Sequence, residues 1–297
     1  MANLQLPGNP RYQPADLREI FGYDNLYRPV GEVELAALDV LAEIGVIPAE
    51  DFVRLTPEIR EAILAISTTD VDRVEREVTG HDIRAWVRLA QDLLPPELRR
   101  WAHIPLTSYD PLDTARALQF SRAHAQVVRP KAAQVALILA DLTERFSEQI
   151  QVGRTHGQHA LPVTVGFWFA TVLNRIMENV RIMDLHASSL TGKVSGAVGA
   201  YNAQMALGIT REGEASFEER VLGKLGLVPG RISTQIVQPE PLVHYLFSCV
   251  TLSAAFGQFG RDARHLMRTE IAEVREQFQE GQVGSSTMAH KRNPINF

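Results

Sequence analysis

The sequence has very little cysteine, with Cys249 as the single thiol in 297 residues. One cysteine cannot form an intramolecular disulfide, so the disulfide frameworks of small secreted domains are excluded. The scarcity of thiols also leaves few ligands for a structural zinc site. Because such usage fits a reducing compartment, we expect a cytoplasmic protein.

The chain also lacks an excess of positive charge, with 30 Lys and Arg residues against 35 Asp and Glu residues. A net charge of −5 at pH 7 provides no surplus of cations to neutralise phosphates. We therefore expect no binding to nucleic acid. With 45% hydrophobic and 22% charged residues, the composition is ordinary for a water-soluble protein.

Targeting segments and long hydrophobic runs are missing as well. The opening stretch, MANLQLPGNPRYQPADL, has no basic region followed by an apolar one, so no signal peptide is predicted. The most apolar stretch, residues 243–259, contains His244 and Ser248 and is soon followed by Arg261. We expect this stretch to be too short and too polar to span a bilayer, and we predict no membrane partner.

What the sequence does contain is helical periodicity over long segments. Hydrophobic residues recur every three or four positions over residues 135–150 and 242–266, and the second pattern continues to Gly281. A third such segment covers residues 165–190. This spacing places hydrophobic side chains on one helix face, and the segments exceed the usual ~11–12 residues of a helix. We predict an all-α protein built as a bundle of long helices.

The sequence also indicates where this helical chain divides into domains. Before residue 107 the predicted helices are shorter and are interrupted by proline. Asp110 at the N-cap and Pro111 at the first helical position predict that a new helix begins there. We place the boundary at this point, between a small N-terminal helical domain (1–107) and a long-helix bundle domain (108–297).

Four turn-like stretches carry polar residues that the core of a bundle would not need. They are TGHDIRAW (79–86), WAHIPLTSYD (101–110), VGRTHGQHALPVTVG (152–166) and GSSTMAHKRNP (284–294). Each stretch has a simple structural alternative when it is taken alone. His81 could be a capping or surface residue, and His103, near Trp101, could be a hydrogen-bonded core residue.

Two histidines three residues apart, His156 and His159, raise the question of a metal site. No nearby carboxylate completes a set of ligands and cysteine is nearly absent, so we predict no metal.

The last stretch combines several groups that bind anions. Lys291 and Arg292 follow a Gly-Ser-Ser turn and precede Asn-Pro. They could be a solvated charge pair, but such a loop offers backbone N–H groups, hydroxyls and a cation together. That combination suits a carboxylate or a phosphate.

Taken together, these stretches resemble the motifs of a known group of enzymes. GSSTMAHKRNP resembles the signature loop of the fumarase/aspartase superfamily, GRTHGQHALPVTVG its Thr-His motif and LTSYDPLDTA its Thr-Ser motif. The stretches NPRY, TGHD, WAH and GKVSGAVGAYNA are similar to the adenylosuccinate lyase family within it. The resemblance extends from about residue 11 to residue 297.

The resemblance implies a carbon–nitrogen lyase of purine nucleotide biosynthesis. Such an enzyme removes fumarate by β-elimination from adenylosuccinate, giving AMP, and from succinyl-aminoimidazole-carboxamide ribotide, giving AICAR. It uses no metal and no organic cofactor. It is a homotetramer whose long helices form the core, and three subunits contribute to each active site.

The resemblance also implies roles for individual residues. Ser285 would be the base that removes the carbon-bound proton, and His156 the acid that protonates the leaving nitrogen. His81 would orient or charge-balance His156, while Lys291 would help the serine to ionise and hold a succinyl carboxylate. The implied substrate-binding residues are Arg11, Tyr12, His103, Thr107, Ser108, Thr155, Gln235, Ser286, Met288 and Asn293.

The sequence departs from the family pattern in several places. Ala289 stands where the signature has proline, and Pro105 and Tyr109 replace residues that are usually small or acidic around the Thr-Ser motif. Family members continue well beyond the signature loop, at 281–294 here, so the resemblance predicts that the C-terminal part is absent.

Two alternatives to the lyase reading stay open. One is a 3-carboxymuconate cycloisomerase-like member of the same superfamily. The other is a non-catalytic helical assembly protein or an inactive fragment.

Overall fold

The computed structural model describes residues 6, 8–9, 12–209 and 213–294, and most of them are helical. The α-helices are α1 (Arg18–Phe21), α2 (Arg28–Glu43), α3 (Ala49–Phe52), α4 (Pro57–Leu64), α5 (Thr68–Val74), α6 (Asp82–Leu93), α7 (Tyr109–Ala123), α8 (Arg129–Arg145), α9 (Val165–Ala187), α10 (Asn202–Ala206), α11 (Phe217–Lys224) and α12 (Glu240–Leu266). The strands are β1 (Ile150–Thr155), β2 (Gln158–Thr164), β3 (Thr191–Gly192) and β4 (Val228–Pro229). The prediction of an all-α, long-helix fold is confirmed.

The chain forms two compact units. Unit 1 comprises Met1–Pro130 and Asp184–Tyr245, and unit 2 comprises Lys131–Met183 and Leu246–Phe297. These units are defined by packing within the chain, which is a different criterion from the change in helix length that placed a domain boundary at residue 107. That boundary stays a prediction.

The core of unit 1 is built around α2. Val33, Val40 and Leu41 of this helix are fully buried, together with Trp86 of α6 and Leu222 of α11. Burial of a side chain of this size contributes roughly 1.5–3 kcal/mol each. The helices that carry the polar motifs of unit 1 are therefore anchored in a well-packed core.

Aromatic side chains hold the long helices of unit 2 together. The ring of Trp168 in α9 lies 5.5 Å from that of Phe259 in α12. The neighbouring Phe169 ring lies 6.2 Å from Phe146, which follows α8. Contacts at these distances are typical of favourable aromatic packing.

The stretch at 152–166 differs from the turn that the sequence indicated, because it belongs to an antiparallel hairpin. β1 pairs with β2 from Ile150 opposite Thr164 to Thr155 opposite Gln158, with an irregularity between Val152 and Arg154. Most of its side chains are exposed on both faces, so no alternation of polar and apolar residues reveals the strands.

The periodic segment that begins at residue 242 also differs, because α12 ends at Leu266 rather than continuing to Gly281. Ala272 has a left-handed backbone (φ 52°), and the Glu273 N–H donates to the Leu266 carbonyl at 3.0 Å. The segment after Leu266 is strongly charged, and its periodic apolar residues lack full burial in a core. Helices gain most of their stability from such burial, so the periodicity alone does not sustain this one.

The predicted helix near residue 110 is present, but its start is different. Ser108 is the N-cap and α7 begins at Tyr109. Asp110 lies inside the first turn, where its carboxylate accepts the Thr107 N–H at 2.8 Å. The N-cap assignment of Asp110 is therefore wrong, although its carboxylate does cap a backbone donor.

One helix of the described residues, α12, is long and apolar enough to cross a membrane by length and composition. Its most apolar window has a mean hydropathy of 1.3 and is 22% buried. The expectation that this segment is too short and too polar is thus not met. A core helix of a soluble protein passes the same test, so the finding does not assign α12 to a membrane.

Candidate active site

His81 lies at the start of α6, between an acid and a hydroxyl. It occupies the N-cap with an extended backbone, and its side chain makes no capping bond. Its Nδ1 lies 3.0 Å from Asp82 Oδ1, and its Nε2 lies 3.4 Å from Ser108 Oγ. A proton held on Nδ1 by Asp82 would leave Nε2 as an acceptor, facing Ser108 or a ligand.

A buried ion pair fixes the position of the Thr107–Ser108 turn. Asp110 and Lys193 are fully buried, and the Lys193 ammonium donates to Asp110 Oδ1. The other oxygen of Asp110 accepts the Thr107 N–H, while Oδ1 also accepts the Gly196 N–H at 3.2 Å. The backbone of the Thr-Ser motif is thereby fixed to the segment that follows β3.

Gln235 lies on an exposed segment that packs closely on the same part of unit 1. Ser233, two residues earlier, shares a hydrogen bond of 2.6 Å between hydroxyls with Ser195. Gly199 has φ +74°, and a Cβ at this position would overlap the Ser233 carbonyl oxygen. Only glycine fits such an approach between two backbones.

His103 is nearly buried and is paired with a carboxylate. Its Nδ1 lies 2.6 Å from Glu34 Oε1, and its backbone N–H donates to Glu34 Oε2 at 3.1 Å. Burial by itself lowers the pKa of the imidazole, but the charge and hydrogen bond of Glu34 outweigh it and raise the pKa above its ordinary value. The ring is thus kept cationic to a higher pH than an ordinary imidazole.

His156 lies at the tip of the β1–β2 hairpin. His156 (φ 55°) and Gly157 (φ 73°) are the two residues between the paired ends of the strands. Positive φ at both central residues is the mark of a type I′ turn, which suits the twist of a hairpin. The imidazole is therefore presented to solvent at an exposed turn whose backbone is defined.

An ion pair ties the hairpin to the segment that follows α12. Arg154 Nη2 lies 2.6 Å from Glu273 Oε1, and Gln151 donates to Glu273 Oε2 at 2.9 Å. The Arg154 hydrogen bond is the main reason that the pKa of Glu273 lies below its ordinary value. Glu273 therefore stays ionised and keeps β1 attached to this segment.

The loop at 284–294 directs two backbone N–H donors at the side-chain oxygen of Ser285. The N–H groups of Thr287 and Met288 point to Ser285 Oγ at 3.4 Å and 3.2 Å. The loop then turns back, with the Lys291 N–H donating to the Met288 carbonyl at 3.0 Å. Two donors on one hydroxyl oxygen favour its anionic form.

The same loop closes on itself around a glycine. A Cβ on Gly284 would overlap the Lys291 carbonyl oxygen and would lie 3.0 Å from the Phe278 ring. The Arg292 guanidinium lies 4.9 Å from the centre of that ring, within the range of a cation–π contact. Gly284 thus allows the two ends of the loop to touch.

The structure brings some of the predicted residues together and leaves others apart. Unit 1 holds His81 beside Ser108, whereas unit 2 holds His156 and Ser285 on separate elements. All residues at 155–158 and 284–293 are described, and no hydrogen bond joins these two segments. The other predicted residues that are exposed or half-buried are Tyr12, Thr107, Thr155, Gln235, Ser286, Met288, Lys291 and Asn293. Arg11 lies outside the described residues.

Sequence reasoning missed the buried charges that support the site. Glu34, Lys193 and Glu218 were not singled out, and Asp110 was assigned only a capping role. A signal was present for Lys193, because a lone lysine in the small-residue stretch GKVSGAVGA is out of place unless it is paired. In the described part of the chain, no three His, Cys, Asp or Glu side chains come together as metal ligands would.

Comparison with protein families and curated proteins gives consistent matches. A family model described as lyase matches residues 39–297. The adenylosuccinate lyase of Pyrococcus horikoshii is 37% identical over 292 residues, covering 97% of this chain and 62% of that protein. That of Streptococcus mutans is 34% identical over 288 residues, covering 96% of this chain and 62% of that protein. The chain therefore spans about 62% of the length of these relatives.

Two solved structures have a similar fold. The 3-carboxy-cis,cis-muconate lactonizing enzyme of Pseudomonas putida has a TM-score of 0.79 and 25% identity, over 96% of this chain and 62% of that one. A fumarate lyase of Mesorhizobium sp. BNC1 has a TM-score of 0.77 and 23% identity, over 92% of this chain and 62% of that one.

Proposed function

Because the chain belongs to the lyase family, whose model it matches over residues 39–297, we propose that it acts as an adenylosuccinate lyase. The reaction is β-elimination of fumarate from adenylosuccinate, giving AMP, and from succinyl-aminoimidazole-carboxamide ribotide, giving AICAR. The observation that carries this proposal is the pair of backbone N–H groups on the Ser285 oxygen.

Ser285 is the proposed base of the elimination. A serine hydroxyl accepts a carbon-bound proton only as an alkoxide, and the two N–H donors of the loop stabilise that form. Lys291, six residues further along the same loop, adds a positive charge for the substrate carboxylate as it gains electron density.

His156 is the proposed acid for the leaving nitrogen. An imidazole donates a proton near neutral pH, and a hairpin tip presents the ring without surrounding structure. His81, with Asp82 on one nitrogen, is the proposed partner that keeps charge and orientation favourable for this transfer.

Other polar residues are proposed to bind different groups of the substrate. Thr107, Ser108 and Asn293 are proposed to bind the succinyl carboxylates by N–H and hydroxyl donors. His103, whose pKa is raised by Glu34, is proposed to face the phosphate. Of the comparisons, the 37% identity with an adenylosuccinate lyase supports this substrate over that of the lactonizing enzyme, at 25%.

We also propose that the protein is a cytoplasmic homotetramer that needs no cofactor. Large apolar side chains lie exposed on its long helices, among them Leu137 of α8, Phe167 of α9 and Phe247 of α12. Exposed apolar residues in such number are typical of subunit interfaces.

The test is to offer adenylosuccinate to the protein and to measure fumarate and AMP. The complete reading frame and the 297-residue chain are assayed in parallel, each as wild type and as Ser285→Ala. We expect turnover by wild-type protein and a loss on the order of 10²- to 10⁴-fold in Ser285→Ala. Ser188→Ala, an exposed serine at the end of α9, is the matched control and should keep full activity.

Three results would count against the proposal. The absence of fumarate from every wild-type preparation would overturn the activity. Conversion of 3-carboxymuconate, without turnover of adenylosuccinate, would favour the cycloisomerase-like alternative. Near-normal turnover by Ser285→Ala would overturn the assignment of the base.

A further inference from the structure

We propose that Asp110 and Lys193 are a positioning pair, which holds the Thr107–Ser108 turn and the Gln235 segment in the arrangement that binds substrate. This role depends on the proposed function for its consequence, but its geometry can be tested separately. Neither residue is proposed to touch substrate.

The Asp110 carboxylate joins two segments that are far apart in sequence. One oxygen accepts the Thr107 N–H at 2.8 Å, and the other accepts the Gly196 N–H at 3.2 Å. The Lys193 ammonium supplies the counter-charge to that second oxygen. A single buried carboxylate thus sets the distance between the Thr-Ser turn and the segment at 193–201.

Lys193 is fixed along its whole length. Its ammonium also donates to the Gly196 carbonyl at 2.8 Å. Its backbone N–H donates to Thr114 Oγ1, and its carbonyl accepts from the same hydroxyl, both at 2.9 Å. The lysine therefore cannot shift without breaking bonds to α7, the helix that begins at the Thr-Ser turn.

A second buried carboxylate holds the rest of the segment. Glu218 of α11 accepts the Val194 N–H at 2.7 Å and the Tyr201 hydroxyl at 2.6 Å. Tyr201 has a left-handed backbone (φ 57°), which is uncommon for a bulky residue and persists only where the surroundings impose it. Both ends of 193–201 are thus constrained by charges inside unit 1.

This constrained segment is what the Gln235 segment rests on. Ser195 and Gly199 both contact Ser233, the first through its hydroxyl and the second through its backbone. Because the backbone at Gly199 lies directly against that at Ser233, we expect movement of 193–201 to displace 233–235 as well. Asp110 and Lys193 therefore control the relative placement of substrate-binding groups on both sides.

Stability alone does not account for a pair of this kind. Removing two charges from water costs about as much as their attraction returns, and apolar replacements of similar volume are often neutral or stabilising. What such replacements cannot supply is an acceptor for the N–H groups of Thr107 and Gly196. The specific contribution of the pair is thus to geometry.

The test is the double variant Asp110→Leu/Lys193→Met, compared with Asp39→Leu/Arg60→Met. The second pair is a half-buried ion pair of unit 1, between α4 and α2, whose side chains are hydrogen-bonded to each other. Two measurements are made on the complete protein: hydrogen exchange of individual backbone amides, and kcat and KM for adenylosuccinate. Urea denaturation establishes that each variant is folded.

We expect exchange of the Thr107 and Gly196 amides to accelerate at least about tenfold in the Asp110→Leu/Lys193→Met variant, while the amides of α2 stay protected. KM should rise on the order of tenfold with a smaller change in kcat, because substrate-holding groups are displaced. The control variant should change neither quantity.

Each outcome decides the proposal. Unchanged exchange at Thr107 and Gly196 in a folded variant overturns it, whatever the activity. A fall in kcat with constant KM also overturns it, because that pattern means that substrate binding is unaffected and that only an interaction made in the transition state has been lost. Accelerated exchange at Thr107 and Gly196, in a protein whose wild type lacks turnover, supports the positioning pair and refutes the proposed function instead.

A milder variant keeps the test decisive if the double variant does not fold. Thr114→Val preserves shape but removes the hydroxyl that binds the Lys193 backbone. Faster exchange of the Lys193 and Gly196 amides and a smaller rise in KM are expected. Wild-type values for both would refute the positioning role.

Discussion

At the scale of single residues, the His103–Glu34 pair makes stability depend on pH in a definite direction. The folded-state pKa of His103 lies above its ordinary value because Glu34 overcomes the effect of burial. The pair therefore stabilises the fold fully below the ordinary imidazole pKa of about 6.5. This contribution is lost as pH rises through the higher folded-state pKa.

Glu34→Gln tests this dependence. The substitution should lower the free energy of unfolding by roughly 1–3 kcal/mol at pH 6, since it removes a buried charge-assisted hydrogen bond. The difference from wild type should narrow as pH increases from 6 to 9. Urea denaturation across this range measures it, with the exposed Glu50→Gln as control. A difference that is the same at every pH would contradict the assignment.

Site residues were predictable from the sequence where a local motif marks them. They were not predictable where their role depends on a partner far away in the sequence. Ser285, His81 and Ser108 stand in recognisable turns, whose polar composition marks them directly. The small residues around Lys193 indicate that it is paired, but its partner, Asp110, lies 83 positions earlier. A single sequence shows neither residue's burial, so their pairing could not be read from it.

At the scale of elements, the backbone conformation of the β1–β2 hairpin directly sets the position of the His156 imidazole. Both central residues of its turn have positive φ, a conformation that glycine and asparagine adopt readily. The proposed acid group, the His156 imidazole, and the geometry of the turn can therefore be changed separately by substitution.

Two substitutions make that separation. His156→Asn should preserve the protection of the β1 and β2 amides against exchange, yet reduce kcat by on the order of 10²- to 10⁴-fold. Gly157→Ala should destabilise the hairpin by about 1 kcal/mol through backbone strain alone, since no atom lies near its missing Cβ.

The control for the second substitution is Gly223→Ala in α11, where the backbone is helical and the space is also open. It should be neutral or stabilising, because alanine favours helix. Equal effects of both Gly→Ala substitutions on hairpin exchange would refute the role assigned to the turn.

Long elements were predicted better than short ones. The periodicity of α9 identified its 23 residues, because a helix that packs along one face must repeat its apolar positions. The hairpin was not predicted because its strands are exposed on both faces and therefore show no alternation of polar and apolar residues. The end of α12 was misplaced because periodicity continued beyond Leu266, where packing did not.

At the scale of the whole molecule, exposed apolar side chains on α12 predict self-association. Phe247 and Val250 are 66% and 61% exposed and, being three positions apart, share a face of the helix. Phe247→Glu/Val250→Glu should convert the proposed tetramer to smaller species, because burying two carboxylates in an apolar interface is costly. Sedimentation velocity measures the change.

Val53→Glu is the control, since Val53 is equally exposed but lies in unit 1, before α4. It should leave the sedimentation coefficient unchanged. An unaltered coefficient in the α12 variant, or recovery of wild-type protein in the membrane fraction, would contradict an interface on this helix.

The closure of the loop around Gly284 has a consequence for the timing of the reaction. Since the backbone at 284 lies against that at 291, we expect Ser285 and Lys291 to move together. The proposed proton acceptor and the proposed cation would reach a bound substrate in one movement and would leave it in one movement. Ser285 would then meet the substrate only together with the Lys291 cation, and it would be reactive only when substrate is bound.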